Sequence, residues 1–269
     1  MTTDATVDRW LLGDRLPHPR ARLIAFPHAG GAAAAYRQWS TWAGPDMELH
    51  AVQYPGRAGR FREPAHTRCE PLALDTAARL QSFADLPLIL FGHSMGALVA
   101  FEVAVELERT YGIRPAHLIV SGAPAPSVPS RTTEMRSDAS DDALVRAMRE
   151  LGGSKEEVLA DPELLPLILS VMRADLTIGE TYRPRARTCI AAPVTVMSGV
   201  DDDFATAAAV QGWQEYTTGE FRQESFPGAH FYLHADQARQ VFDRVRELVE
   251  RCAADGARQP GGRRSEHTR

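Results

Sequence analysis

From Leu86 to Tyr111 the chain passes from an unbroken apolar run, LPLILF, through the small-residue turn GHSMG into the helical pattern MGALVAFEVAVELERTY. This passage constrains the fold more than any other stretch. A strand that is apolar at every position, rather than at alternate ones, is buried on both faces. Sheets of that kind are parallel and lie between layers of helices. Parallel strands need long crossovers, and a helix that starts where the strand stops supplies one.

The arrangement recurs. β-rich runs at 22–28, 48–55, 86–93, 117–124, 193–200 and 221–227 alternate with helical patterns at 69–82, 95–111, 205–216 and 235–254. The expected class is α/β, a mostly parallel central sheet flanked by helices. One interval departs from the rhythm. From about 127 to 190 only helical patterns occur, at 140–151, 154–159 and 162–181. Asp161-Pro162 opens the last of them, a capping residue ahead of a first-turn proline. Its apolar residues between Leu164 and Ile178 exceed a single stripe. They read as a helix buried on two sides, or as part of a helical lid with one face on the body and another on a chamber. The expected organisation is one domain over 1–252, a lid subdomain over about 127–190, and a polar, disordered tail over 253–269.

Composition acts by exclusion. A net charge of −5 gives no nucleic-acid footprint. Cys69, Cys189 and Cys252 are far apart and form no CxxC, which argues against a disulfide framework or a zinc site. No segment approaches the roughly 20 apolar residues that span a bilayer. The start, MTTDATVDRW, lacks the apolar core of a secretory signal. The expected location is cytoplasmic, with no membrane and no nucleic acid among the partners.

The turn Gly92-His93-Ser94-Met95-Gly96 is a G-x-S-x-G pentad between a strand and a helix. Such a turn lifts Ser94 above the sheet edge in a strained conformation, and glycines two residues either side relieve the crowding. A serine hydroxyl needs a base to become a nucleophile, and an acid to orient that base. In this arrangement the acid and then the histidine follow the serine in the chain. His230, in the loop of SFPGAHFYLH after the last strand, is the candidate base, with His234 as the alternative. His93, beside the serine on a sharp turn, reads as structural. The acid falls in Asp201-Asp202-Asp203 after the strand PVTVMSGV, and the turn geometry favours Asp202. For an oxyanion hole, the backbone N–H of Met95 and that of Ala29, in the loop His28-Ala29-Gly30-Gly31, are the candidate donors.

Together FPHAGG, QYPGR, GHSMGA, LGG…EVLADPELL, RADL…ETY and FPGAHFYL resemble the type II thioesterases, discrete α/β-hydrolases that accompany modular polyketide and nonribosomal peptide synthases. The resemblance covers about Arg22 to Val249. It implies an α/β-hydrolase fold with a helical lid, nucleophile Ser94, acid Asp202 and base His230. It implies hydrolysis of acyl thioesters on the phosphopantetheine arm of acyl or peptidyl carrier proteins, to remove aberrant acyl groups. No cofactor or metal is implied, since phosphopantetheine arrives on the substrate protein. Acyl-CoA thioesterase, generic carboxylic esterase and non-catalytic binding protein of the same fold are the alternatives. A carrier protein is typically acidic, so docking calls for basic surface. The candidates are Arg57, Arg60 and Arg62, and Arg183, Arg185 and Arg187.

Overall fold

The computed structural model describes residues 9–128, 135–153, 156–185, 188–234 and 236–258. Seven strands form one sheet: β1 (Leu11–Leu12), β2 (Ala21–Phe26), β3 (Met47–Val52), β4 (Leu88–His93), β5 (His117–Ser121), β6 (Val194–Gly199) and β7 (Phe221–Phe226). The helices are α1 (Arg37–Trp42), α2 (Cys69–Leu80), α3 (Met95–Tyr111), α4 (Asp141–Leu151), α5 (Glu156–Leu159), α6 (Leu165–Thr181), α7 (Ala207–Gln211) and α8 (Ala238–Arg258).

The strand order is β1-β3-β2-β4-β5-β6-β7, and every pair is parallel except β1 with β3. This is the expected mostly parallel sheet of an α/β-hydrolase. β1 is the strand not foreseen, because two residues carry no periodicity. Along β4, Leu90 packs on one face with α2 and α3, while Ile89 and Phe91 pack on the other with α1 and α8. Strand side chains alternate between faces, so a run apolar at every position fills two cores at once. Each such side chain contributes about 1.5–3 kcal/mol of burial.

The order reverses between β2 and β4. From β2 the chain runs outward to β3, and from β4 outward to β5 in the opposite direction. The loops at the carboxyl ends of β2 and β4 therefore diverge and leave a crevice between them, where ligands of open parallel sheets bind.

Helices α4, α5 and α6 lie between β5 and β6, within the interval expected to form a lid. They share a small core of Leu144, Val145, Met148, Leu159, Leu169 and Met172. Gly152 and Gly153, directly after α4, have φ of +79° and +91°. Asp161 Oδ1 accepts from the N–H groups of Glu163 (2.8 Å) and Leu164 (3.2 Å), so the expected cap forms one turn ahead of α6. Burial of α6 on two sides does not hold. Leu169, Met172, Asp175 and Ile178 form one buried face, whereas Leu167 is 61% exposed.

The expected tail boundary also moves. α8 continues to Arg258, because Val245, Leu248, Val249 and Ala253 extend its buried stripe. Residues 259–269 lie outside the described residues. Among the described residues no helix is long and apolar enough to cross a membrane.

Candidate active site

Ser94 sits between β4 and α3 with φ 55° and ψ −123°, a region that side chains rarely occupy. Holding it there costs of order 1–3 kcal/mol. Its N–H donates to Ser121 O on the neighbouring strand (2.8 Å), and its carbonyl accepts from Ala97 N–H (2.9 Å). The glycines are sterically required. A Cβ on Gly92 would stand 2.2 Å from Gly96 O, and one on Gly96 2.2 Å from Phe26 O. Met95 is the first residue of α3, where helix N–H groups have no partner within the helix.

His230 and Ala29 reach the same crevice, and Asp202 stands behind His230. His230 Nδ1 donates to Asp202 Oδ2 at 2.9 Å, and both residues are 3% exposed. The second carboxylate oxygen, Oδ1, accepts from the N–H groups of Phe204 (3.0 Å) and Ala205 (3.1 Å). Asp202 thus folds its own loop while it orients the imidazole. Asp201 and Asp203 on either side are exposed, so of the three aspartates Asp202 is the one that meets His230. With Nδ1 committed, Nε2 is the nitrogen left for Ser94. Ser94, Met95, Ala29 and His230 all line one cavity of about 1040 Å³.

Four histidines gather here, and their surroundings separate their roles. Burial, joined by the neighbouring His234, His230 and Arg57, pushes His28 down to about 3. Burial, with His230, His28 and His234 nearby, holds His93 well below the usual imidazole range. His234 is lowered by burial alone. His93 Nδ1 meets Ser121 Oγ at 2.9 Å, which in turn meets Tyr232 OH at 2.6 Å. This buried chain braces the floor under His230, whose ring centroid is 4.9 Å from that of His93. Phe204 and Phe231 flank the His230 ring edge-on at 5.3 and 5.1 Å.

The cavity roof comes from the helical interval. Met148, Ile168, Met172 and Leu176 supply apolar wall, and Glu180 and Arg183 supply charge. The wall is mostly apolar, with a few polar groups converging on Ser94, as a site for a small apolar group requires.

Of the two arginine clusters, the first is largely buried, with Arg62 the exposed member of the three. Arg57 and Arg60 are 8% and 4% exposed. Arg57 is paired with Asp175, and Arg60 with Glu63 and Gln53 O. Arg183 and Arg185 are exposed, and Arg187 lies outside the described residues. Sequence reasoning missed the Arg57–Asp175 pair. The available signal was one carboxylate in the apolar stripe Leu169, Met172, Ile178.

The family model for the thioesterase domain matches residues 21–249. The chain belongs to the thioesterase family. It is 38% identical over 243 residues to the thioesterase PikA5 of Streptomyces venezuelae, covering 89% of this chain and 85% of that protein. Among solved structures, the type II thioesterase BorB of the borrelidin biosynthetic cluster is similar, with TM-score 0.81 and 37% identity, over 90% of this chain and 98% of that one. So is the RedJ thioesterase of the prodiginine pathway in Streptomyces coelicolor, with TM-score 0.78 and 36% identity, over 88% and 90%. The resemblance to type II thioesterases holds, and this thioesterase is a thioester hydrolase.

Proposed function

We propose that this thioesterase removes acyl groups from the phosphopantetheine arm of acyl or peptidyl carrier proteins of a modular synthase, through an acyl-enzyme on Ser94. The observation that carries the reading is His230, held by the buried Asp202 at 2.9 Å and lining one crevice with a strained Ser94.

His230 Nε2 takes the Ser94 proton as Oγ bonds to the thioester carbonyl carbon. The carbonyl oxygen becomes an oxyanion held by the N–H groups of Ala29 and Met95, each worth about 2.7–4 kcal/mol to the transition state. The C–S bond breaks, and His230 returns the proton to the departing thiolate. Water then enters, His230 removes its proton, and the resulting hydroxide attacks the acyl-enzyme. The acid leaves and Ser94 regains its hydrogen. Asp202 keeps Nδ1 protonated and stabilises the imidazolium throughout. Every step uses a group of this chain, the substrate or water, so the reaction runs without a metal or organic cofactor.

The substrate reading draws on the relatives' biosynthetic clusters and on the cavity, whose apolar roof suits an acyl chain. The test is intact mass of an acyl-loaded carrier protein before and after incubation. Loss of the acyl mass with recovery of the free arm is expected. Hydrolysis of acyl-CoA or simple esters with the carrier left loaded would overturn the carrier assignment.

A further inference from the structure

The loop His28–Gly31 is closed as a turn by Gly31 N–H donating to His28 O (2.9 Å), with Gly30 at φ +75°. Gly30 N–H does not stay within the turn. It donates to Asp175 Oδ2 of α6 at 2.7 Å. Arg57, on the loop after β3, grips the same carboxylate with both arms, Nη1 to Oδ2 at 2.5 Å and Nη2 to Oδ1 at 2.7 Å. Its Nη1 also donates to Gly31 O at 3.0 Å. Asp175 is 1% exposed. Met172, one turn before it, closes the contact from above, since a Cβ on Gly30 would stand 2.6 Å from Met172 Cε.

We propose that Arg57 and Asp175 are positioning residues for the oxyanion hole, and that the roof helix α6 thereby sets the catalytic geometry of the β2 loop. The inference rests on the serine mechanism above. The amides of Gly30 and Gly31 are committed to Asp175 and to the turn, and Ala29 N–H immediately before them is the oxyanion donor of the mechanism above. The pair anchors the two residues that follow that amide, at Gly30 N–H and at Gly31 O. A misplacement of about 1 Å in such a donor costs on the order of 10²-fold in rate. Charge gives Arg57 a second task. A lone carboxylate beside the hole would repel the developing oxyanion, and a forked guanidinium neutralises it. Losing Arg57 therefore costs more than losing the charge of Asp175.

The variants are Asp175→Asn, Arg57→Gln and the two combined, which leaves an amide pair and no buried charge. Each is assayed on a small acyl thioester for kcat and KM. Each is also titrated with an alkylboronic acid, which forms a tetrahedral anion on the serine, and with a non-hydrolysable thioether analogue of the substrate. Both single variants lose about 10²-fold in kcat, Arg57→Gln more than Asp175→Asn, with KM near that of the parent. Boronate affinity falls in parallel with kcat, thioether affinity holds, and the double variant recovers part of what Arg57→Gln loses. If a single variant does not fold, the double decides by the same readouts. Folded variants with parental kcat and boronate affinity would overturn the proposal. So would a rise in KM and loss of thioether binding at constant kcat, which would make the pair a mere prop for the chamber wall. A parent that neither hydrolyses the thioester nor binds the boronate is a separate result, and it removes the serine mechanism along with this inference.

Discussion

The floor and the roof of the crevice are held by different kinds of bond. On the floor, Ser94, Asp202 and His230 each follow the carboxyl end of a parallel strand, within one to four residues of β4, β6 and β7. Ladder hydrogen bonds between neighbouring strands fix their spacing before any side chain acts. Among the described residues the roof has no strand. It reaches the body through side chains, chiefly Asp175 to Arg57, Met172 on Gly30, and Tyr182 OH donating to Glu102 at 2.7 Å. Main-chain ladders place the reacting side chains, whereas side-chain contacts hold a chamber wall that can vary except where Asp175 and Arg57 tie it to the β2 loop.

The largest effect should come from the floor. Ser94→Ala and His230→Ala are each expected to lose on the order of 10⁶-fold in kcat while folding normally. Near-parental turnover by either, with its mass verified, would break the contrast. Asp202→Asn comes next, at about 10⁴-fold, because the wrong imidazole tautomer is then favoured. Asp201→Asn and Asp203→Asn should leave kcat close to parental, and a larger loss in either would reassign the acid.

Proton linkage sharpens the comparison further. His28 titrates at about 3 when folded and near 6.5 when unfolded. Above pH 6.5 the group is neutral in both states and costs nothing. As pH falls toward 3 only the unfolded chain gains the proton, so stability drops by up to about 1.4 kcal/mol per pH unit. His28→Asn should therefore flatten the decline of Tm between pH 6.5 and 4 relative to the parent. Parallel Tm curves for the two proteins would show that His28 charges freely in the fold.

The smallest effect concerns docking. Exposed arginine charges are screened beyond about 10 Å at 0.1 M salt. Arg185→Glu should lower kcat/KM several-fold for a carrier-bound substrate at low ionic strength. A small thioester should be unaffected. Equal losses on both substrates would place Arg185 with Arg183 at the chamber rather than at the partner.

Legibility in the sequence follows the same division. β4 and its turn could be read because a strand apolar throughout, a G-x-S-x-G and a helical pattern are all local. His230 and the aspartate run could be placed because they follow strands in a known order. The register of Asp202 needed the structure, since only a folded loop shows which carboxylate meets His230 and which two face solvent. Arg57 and Asp175 were legible only as residue types. They lie 118 positions apart, and no local pattern reveals that a seeming surface arginine is consumed by a buried carboxylate. The end of α8 was misplaced for a simpler reason. Its polar composition from Ala253 on suggested a tail, but Ala253 itself continues the buried stripe.

The insertion between β5 and β6 has a consequence for inheritance. It supplies the whole α4–α6 roof, so one contiguous exchange between relatives could swap a chamber without touching Ser94, Asp202 or His230. The exchange is not free, however, because Asp175 travels with the segment while Arg57 stays behind after β3. A chimera that imports a roof helix with no carboxylate at this place would strand a guanidinium against Gly31 O. The unit of recombination is therefore discontinuous, the helical segment plus the residue at position 57, and lineages that shuffle one without the other should carry a compensating change there.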